Sequence, residues 1–197
     1  MDYARVEKFI LEMLKKKLSD KLYYHSVNHT CKTIKAAEEF SRAEGLPEEE
    51  ITILKTAALF HDSGYLRMPV DNERIGTEIA RDILPNYGYT PEQIEKVCRL
   101  ILATRMPQKP ENLEEQIICD ADLQYLGTEE YDKLSALLRK EMNLYNISFT
   151  DQDWLDFQIN FLKSHHYFTR SCRQSRDAVK AGCLKKLIEA KEYSVTE

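Results

Sequence analysis

The 197-residue sequence has little of what builds sheets, staples or membrane spans: six Gly, six Pro, five Cys and a single Trp. So few chain breakers argue against a turn-rich β-sandwich and in favour of helices. The cysteines, Cys31, Cys98, Cys119, Cys172 and Cys183, are odd in number and show no CxxC spacing. That excludes a disulfide framework or a zinc knuckle and leaves reduced residues filling the core. No apolar run approaches the length of a bilayer span, and the opening MDYARVEKFILEMLKKKL mixes charged with apolar residues, unlike a signal peptide. A cytoplasmic protein with no membrane partner is expected. Positive charge is also short, with 28 Lys and Arg against 33 Asp and Glu, for a net charge of -5. A nucleic-acid polymer needs a basic footprint, so that partner is disfavoured. A local cationic cluster can still hold a small phosphorylated ligand.

What is present is amphipathic helix. Val6, Phe9, Ile10, Met13 and Leu14 recur every three or four residues, which predicts a first helix with one buried face. A second is predicted over 26–43, burying Val27, Cys31, Ile34, Ala37 and Phe40 and stopping at Gly45. Pro47 fits the first turn of a third, which carries Ile51, Leu54, Ala57 and Ala58 inward and ends on His61 and Asp62. Gly64 marks that end, and 65–71 reads as a loop. A fourth helix buries Ile75, Ile79, Ala80, Ile83 and Leu84, until Pro85 and Gly88 break it. Thr90, Pro91 and Gln93 form a capping-box start for a helix burying Ile94, Val97, Cys98, Ile101 and Leu102. Further helices are predicted over 113–126, 131–145, 151–168 and about 172–191. Nothing repeats and no linker intervenes, so residues 1–197 are expected to form one compact all-α domain.

His61 is followed directly by Asp62 at the end of an apolar run, where an unpaired charge is costly. From this pair alone, a satisfied core histidine beside a locally paired aspartate is an available reading. The wider pattern adds His29 inside a different amphipathic helix and Asp122 inside a third. Imidazole nitrogens with carboxylate oxygens suit Mn, Fe, Co, Ni or Zn, and a bound cation removes the penalty for burying two aspartates.

These segments resemble the HD-domain metal-dependent phosphohydrolases, whose signature is an isolated His, an adjacent His-Asp pair and a distal Asp. Tyr24-His25-Ser26-Val27-Asn28-His29-Thr30 looks like the family's first-ligand segment, Leu59-Phe60-His61-Asp62-Ser63-Gly64-Tyr65 like its HD turn, and Cys119-Asp120-Ala121-Asp122-Leu123 like its last. The resemblance covers about residues 22–127, leaving C-terminal helices over about 128–192 to pack on that core. It implies one divalent metal ion, Mn, Fe, Co, Ni, Zn or Mg, held by His29, His61, Asp62 and Asp122. It favours His29 over His25, which is left to a capping or pocket-wall role, and Asp122 over Asp120, which becomes a partner of the ligands or a solvated charge.

Binuclear members carry further histidines. This chain has Asp71-Asn72-Glu73 and Thr104-Arg105 at those places, with Glu73 the one side chain suited to support a second ion. Some nucleotidase relatives place an acid three positions after the pair, where this chain has Tyr65. The activity implied is hydrolysis of a small phosphate ester or anhydride, with nucleotides the commonest substrates, through a metal-activated water that Asp62 orients. Arg105, as a catalytic and phosphate-binding cation, with Arg67 and Lys109, are the candidate clamps, and His25 and His165 candidate substrate contacts. Trp154 and the nearby Phe157 and Phe161 read as core. A homodimer is compatible with all of this. The alternatives are a non-catalytic HD module that binds a ligand and signals, and a diiron oxygenase, for which the extra ligands are missing.

Overall fold

A computed structural model describes residues 1–145 and 147–195, with side chains through residue 193. Helices α1 (Tyr3–Lys17), α2 (Val27–Ala43), α3 (Glu48–Phe60), α4 (Asn72–Ile83), α5 (Pro91–Ala103), α6 (Leu113–Asp122), α7 (Tyr131–Met142), α8 (Asp151–Ser164) and α9 (Arg170–Val195) follow one another, and no strand occurs among the described residues. The fold is all-α. Among those residues no helix is long and apolar enough to cross a membrane.

Local chemistry starts several of these helices. Asp2 accepts the Arg5 N–H at α1, Asn112 the Glu115 N–H at α6, and Thr150 the Asp153 N–H at α8. The expected capping box at α5 is present, with Thr90 and Gln93 each taking the other's backbone N–H. Gly45 turns the chain after α2 at φ 78°.

One apolar cluster runs from Val6 in α1 through Phe40, Leu54, Phe60, Ile101 and Ile118 to Cys183 in α9. Helices α2, α3 and α6 pack against one another, and this triple contact brings together the places where the candidate ligands lie.

Several expectations change. Phe9 and Leu102 are 44% and 42% exposed, so the apolar stripes of α1 and α5 are narrower than the sequence pattern. Pro47 precedes the first turn of α3 as its N-cap instead of entering it. The 65–71 loop begins inside a 3-10 turn, Ser63–Leu66, and α6 stops at Asp122 before another such turn, Gln124–Gly127. Helix α8 ends at Ser164, not at 168, because Asp120 takes the N–H groups of Phe168 and Thr169 at 2.8 Å and fixes a new helix start. Helix α9 accordingly begins at Arg170 and continues past 191.

Glycine decides two close approaches. A Cβ on Gly64 would lie 1.9 Å from the Asn72 carbonyl oxygen, and one on Gly127 would lie 2.5 Å from that of Arg176. The first lets the His-Asp turn sit against the start of α4, and the second lets α9 dock.

Candidate metal centre

His29 lies in the first turn of α2, His61 closes α3, Asp62 begins the 3-10 turn behind it, and Asp122 ends α6. They come from the α2, α3 and α6 contact and the turn that follows α3. The Nε2 of His29 stands 3.1 Å from Nε2 of His61, 3.1 Å from Oδ1 of Asp122 and 3.4 Å from Oδ2 of Asp62. Nε2 of His61 is 3.1 Å from Oδ2 of Asp62 and 3.4 Å from Oδ1 of Asp122. Ligands about 2.1 Å from a divalent ion stand about 3.0–3.4 Å apart in octahedral or tetrahedral arrangement, so these edges have the right length.

Two further observations fit a cation. Nδ1 of His61 donates to the Ala58 carbonyl at 2.8 Å, which leaves the Nε2 lone pair facing inward. Oδ2 of Asp62 is buried and has no hydrogen-bond partner, a costly state for a carboxylate unless an ion completes it. His29, His61 and Asp122 offer donor atoms all within 4.8 Å of one another, so the residues present suit a divalent metal. Burial opposes charge on His61, but the Asp62 and Asp122 carboxylates outweigh it and raise its pKa well above the usual range. Burial likewise opposes charge on Asp62 and Asp122, yet the neighbouring imidazoles hold both carboxyls below their ordinary range.

Asp62 and Asp122 open into a cavity of about 320 Å³, walled on one side by α7 and α8 and elsewhere by residues before α2, around the His-Asp turn and after α6. His25 forms part of it. Its Nδ1 pairs with Oε1 of Glu141, whose other oxygen accepts the Tyr24 and His25 backbone N–H groups at 2.8 and 3.1 Å. Its Nε2 lies 3.3 Å from the Tyr65 hydroxyl, and the two rings stack. Burial opposes charge on His25, but Asp62 and Glu141 raise its pKa on balance. Burial pushes the Tyr65 phenol up, so it keeps its proton. Asn72 also lines the cavity, with a buried Oδ1 that no group satisfies.

The candidate clamps lie elsewhere. Arg67 pairs with Glu78 and Asp82 beside a depression of α1 and α4. Arg105 is 62% exposed, faces Asp71 at 3.6 Å, and lines with Lys109 a shallow surface depression instead of the cavity. None of these three cations lines the cavity: Arg67 follows the 3-10 turn before α4, and Arg105 and Lys109 lie on the loop after α5.

His165 is also outside it, beside Gln108 and Phe168 in a separate depression. Both its ring nitrogens are buried without a partner, and burial, with Lys180 and His166 nearby, lowers its pKa to about 3. Asp120, expected as a partner of the ligands or a solvated charge, is neither. It is fully buried and serves the start of α9.

Trp154 is buried, as read from the sequence, and also walls the cavity together with Phe161 and the more exposed Phe157. Glu141, Asn72 and Gln158 were missed. An acidic residue on a polar helix carries no sequence signal that it reaches back 116 residues to His25.

Residues 26–123 match the model of the HD domain. The chain belongs to the HD-domain family. A predicted HD superfamily hydrolase from an uncultured Thermotogales bacterium is 22% identical, with a TM-score of 0.55 over 79% of this chain and 88% of that one. Bacillus subtilis YpgQ, solved in complex with ADP, is 16% identical, with a TM-score of 0.69 over 98% of this chain and 96% of that one. At these identities the likeness is one of fold. No curated protein matches the chain.

Proposed function

We propose that this HD-domain chain is a metal-dependent phosphohydrolase acting with water on a small phosphate ester or anhydride. The observation that carries the reading is the unpartnered buried Oδ2 of Asp62, set 3.1–3.4 Å from two imidazole nitrogens at the floor of an open cavity. His29, His61, Asp62 and Asp122 would hold one divalent ion. When bound, that ion supplies positive charge against the phosphoryl oxygens and makes water more acidic. The hydrolase name of the Thermotogales protein and the ADP on YpgQ support the same class, the latter including nucleotides.

The chain's own residues divide the remaining work. With Oδ2 of Asp62 turned to the ion, its Oδ1 and the unsatisfied Oδ1 of Asn72 would orient the attacking water, and the Asp62 carboxylate would take the proton that the water gives up. As the water oxygen bonds to phosphorus, the bond from phosphorus to the leaving oxygen breaks, and that oxygen needs a proton. His25, held by Glu141, and the protonated Tyr65 hydroxyl are the donors that face the cavity. Arg105, Arg67 and Lys109 have no place in this reading.

The test is phosphate release by the chelated protein reloaded with Mn, Co, Ni or Mg, beside His61→Ala and Asp62→Ala. Turnover that returns with metal in the parent and not in the variants is expected. A protein that binds phosphorylated ligands but never turns one over would instead be a signalling module.

A further inference from the structure

The cavity pairs an acidic, metal-binding floor with an aromatic upper wall. We infer that it selects a phosphomonoester, one dianionic phosphate on an aromatic or apolar alcohol, in preference to a nucleoside di- or triphosphate. This rests on the phosphohydrolase reading above and narrows it.

Charge is the first argument. The lining includes the carboxylates of Asp62, Glu73 and Asp122 and, among the described residues, no Lys or Arg; His25 is its one basic side chain. A polyphosphate chain brings several negative charges, which proteins meet with several cationic clamps or helix ends. The clamp suggested by the sequence, Arg105, is turned onto Asp71. Asp62 and Asp122 already match the charge of a divalent ion and Glu141 that of His25, so one phosphate would be held by coordination and hydrogen bonds, while every further phosphate would add unmatched negative charge beside Glu73.

The opposite wall is the second argument. Trp154 and Phe157 stack with ring centres 5.2 Å apart at 20°, and Phe161 continues the row at 6.2 Å and 16°. Leu126, Leu138 and Met142 close the cavity beside them. Such a surface rewards a flat or branched apolar group and penalises sugar hydroxyls that find no partner. One polar cluster, Gln158 with Tyr131 and Ser135, interrupts it. Oε1 of Gln158 is taken by the hydroxyls of Tyr131 and Ser135, so Gln158 has only its amide N–H groups to offer, a donor for one ether or carbonyl oxygen. The volume of about 320 Å³ lies at the small end of ligand pockets.

The test compares alkyl phosphates of similar leaving-group chemistry on the metal-loaded full chain: benzyl and 2-phenylethyl phosphate, glycerol 3-phosphate and glucose 6-phosphate, with ADP and ATP beside them. The expected kcat/KM is at least about tenfold higher for the aryl-alkyl monoesters, since a buried aromatic group contributes more than 1.4 kcal/mol. Phe157→Ala, at a partly exposed position, should raise their KM about tenfold with kcat nearly unchanged. Binding gives a second readout, because Trp154 is the chain's one tryptophan. Titrating the Mg-loaded protein with 2-phenylethylphosphonate should change its fluorescence, and methylphosphonate should not.

Higher kcat/KM for ATP or ADP, or for the sugar phosphates, overturns the inference and leaves the phosphohydrolase reading standing. Absence of turnover with every phosphate in the metal-loaded protein overturns both. A fluorescence response to methylphosphonate equal to that of the aryl compound also counts against it.

Discussion

Nε2 of His29 faces Nε2 of His61 across 3.1 Å, while the other nitrogen of His61 is committed as a donor to the Ala58 carbonyl. In the neutral ring that arrangement turns a lone pair of His61 toward its neighbour, in a place shared with two buried carboxylates. Packing alone gives no reason to gather these groups, since each loses solvation and Oδ2 of Asp62 is left with only the imidazole nitrogens beside it. A shared cation explains all of it.

The two aspartates of the Cys119-Asp120-Ala121-Asp122 segment should therefore separate by experiment. Asp120→Ala removes the acceptor of the Phe168 and Thr169 N–H groups and the Thr169 hydroxyl. Leaving those donors buried costs about 2–4 kcal/mol, read by urea unfolding, with metal content preserved. Asp122→Ala should lose the metal and leave the metal-free protein close to its parent in stability.

Glu141→Ala strips three hydrogen-bond donors of one buried acceptor group. The expected loss is about 3 kcal/mol, in the range for breaking a buried pair. Glu141→Gln should retain much of that stability and still lower kcat more than it changes KM, because His25 loses its orienting carboxylate. An unchanged kcat would remove His25 from the chemistry.

Gly64→Ala places a methyl where the Asn72 backbone already lies. Moving the start of α4 should cost about 3 kcal/mol and shift Asn72 away from the cavity, so activity falls with stability. Gly182→Ala is the control: it sits in α9 with no atom within 4 Å of the new Cβ and should gain up to about 1 kcal/mol. Thermal melts of the two variants decide this.

His165 predicts a pH dependence of stability. Folding lowers its pKa from 6.5 to about 3 through burial, then Lys180 and His166. Between those values the unfolded chain binds the proton and the folded chain does not, so this contribution falls as pH drops from 6.5 toward 3. The slope is at most about 1.4 kcal/mol per pH unit. His165→Phe should flatten the curve in that window and leave the slope above pH 7 unaltered, as urea unfolding at pH 7.5, 6 and 5 can show.

The sequence carried local information well and convergence poorly. Thr90, Pro91 and Gln93 announce a helix start because capping depends on neighbours three residues apart. The His-Asp pair, His29 and Asp122 were readable because costly side chains inside apolar patterns demand a reason. Glu141 was not readable, since its partner is 116 positions away and their meeting depends on how α7 crosses the start of α2. Trp154 is buried as the sequence suggests, but that its stripe also lines a cavity depends on interhelical angles, which periodicity does not encode. Arg67, Arg105 and Lys109 follow buried helices, but only the path of the following loops determines which way such side chains turn.

Metal stoichiometry tests the central claim most directly. The chelated protein, titrated with Co, should take up one ion per chain and develop the absorption of a nitrogen- and oxygen-ligated centre, and His29→Ala, still folded by circular dichroism, should do neither. Equal uptake and an identical spectrum in His29→Ala, or no stoichiometric uptake by the parent chain, would contradict the account.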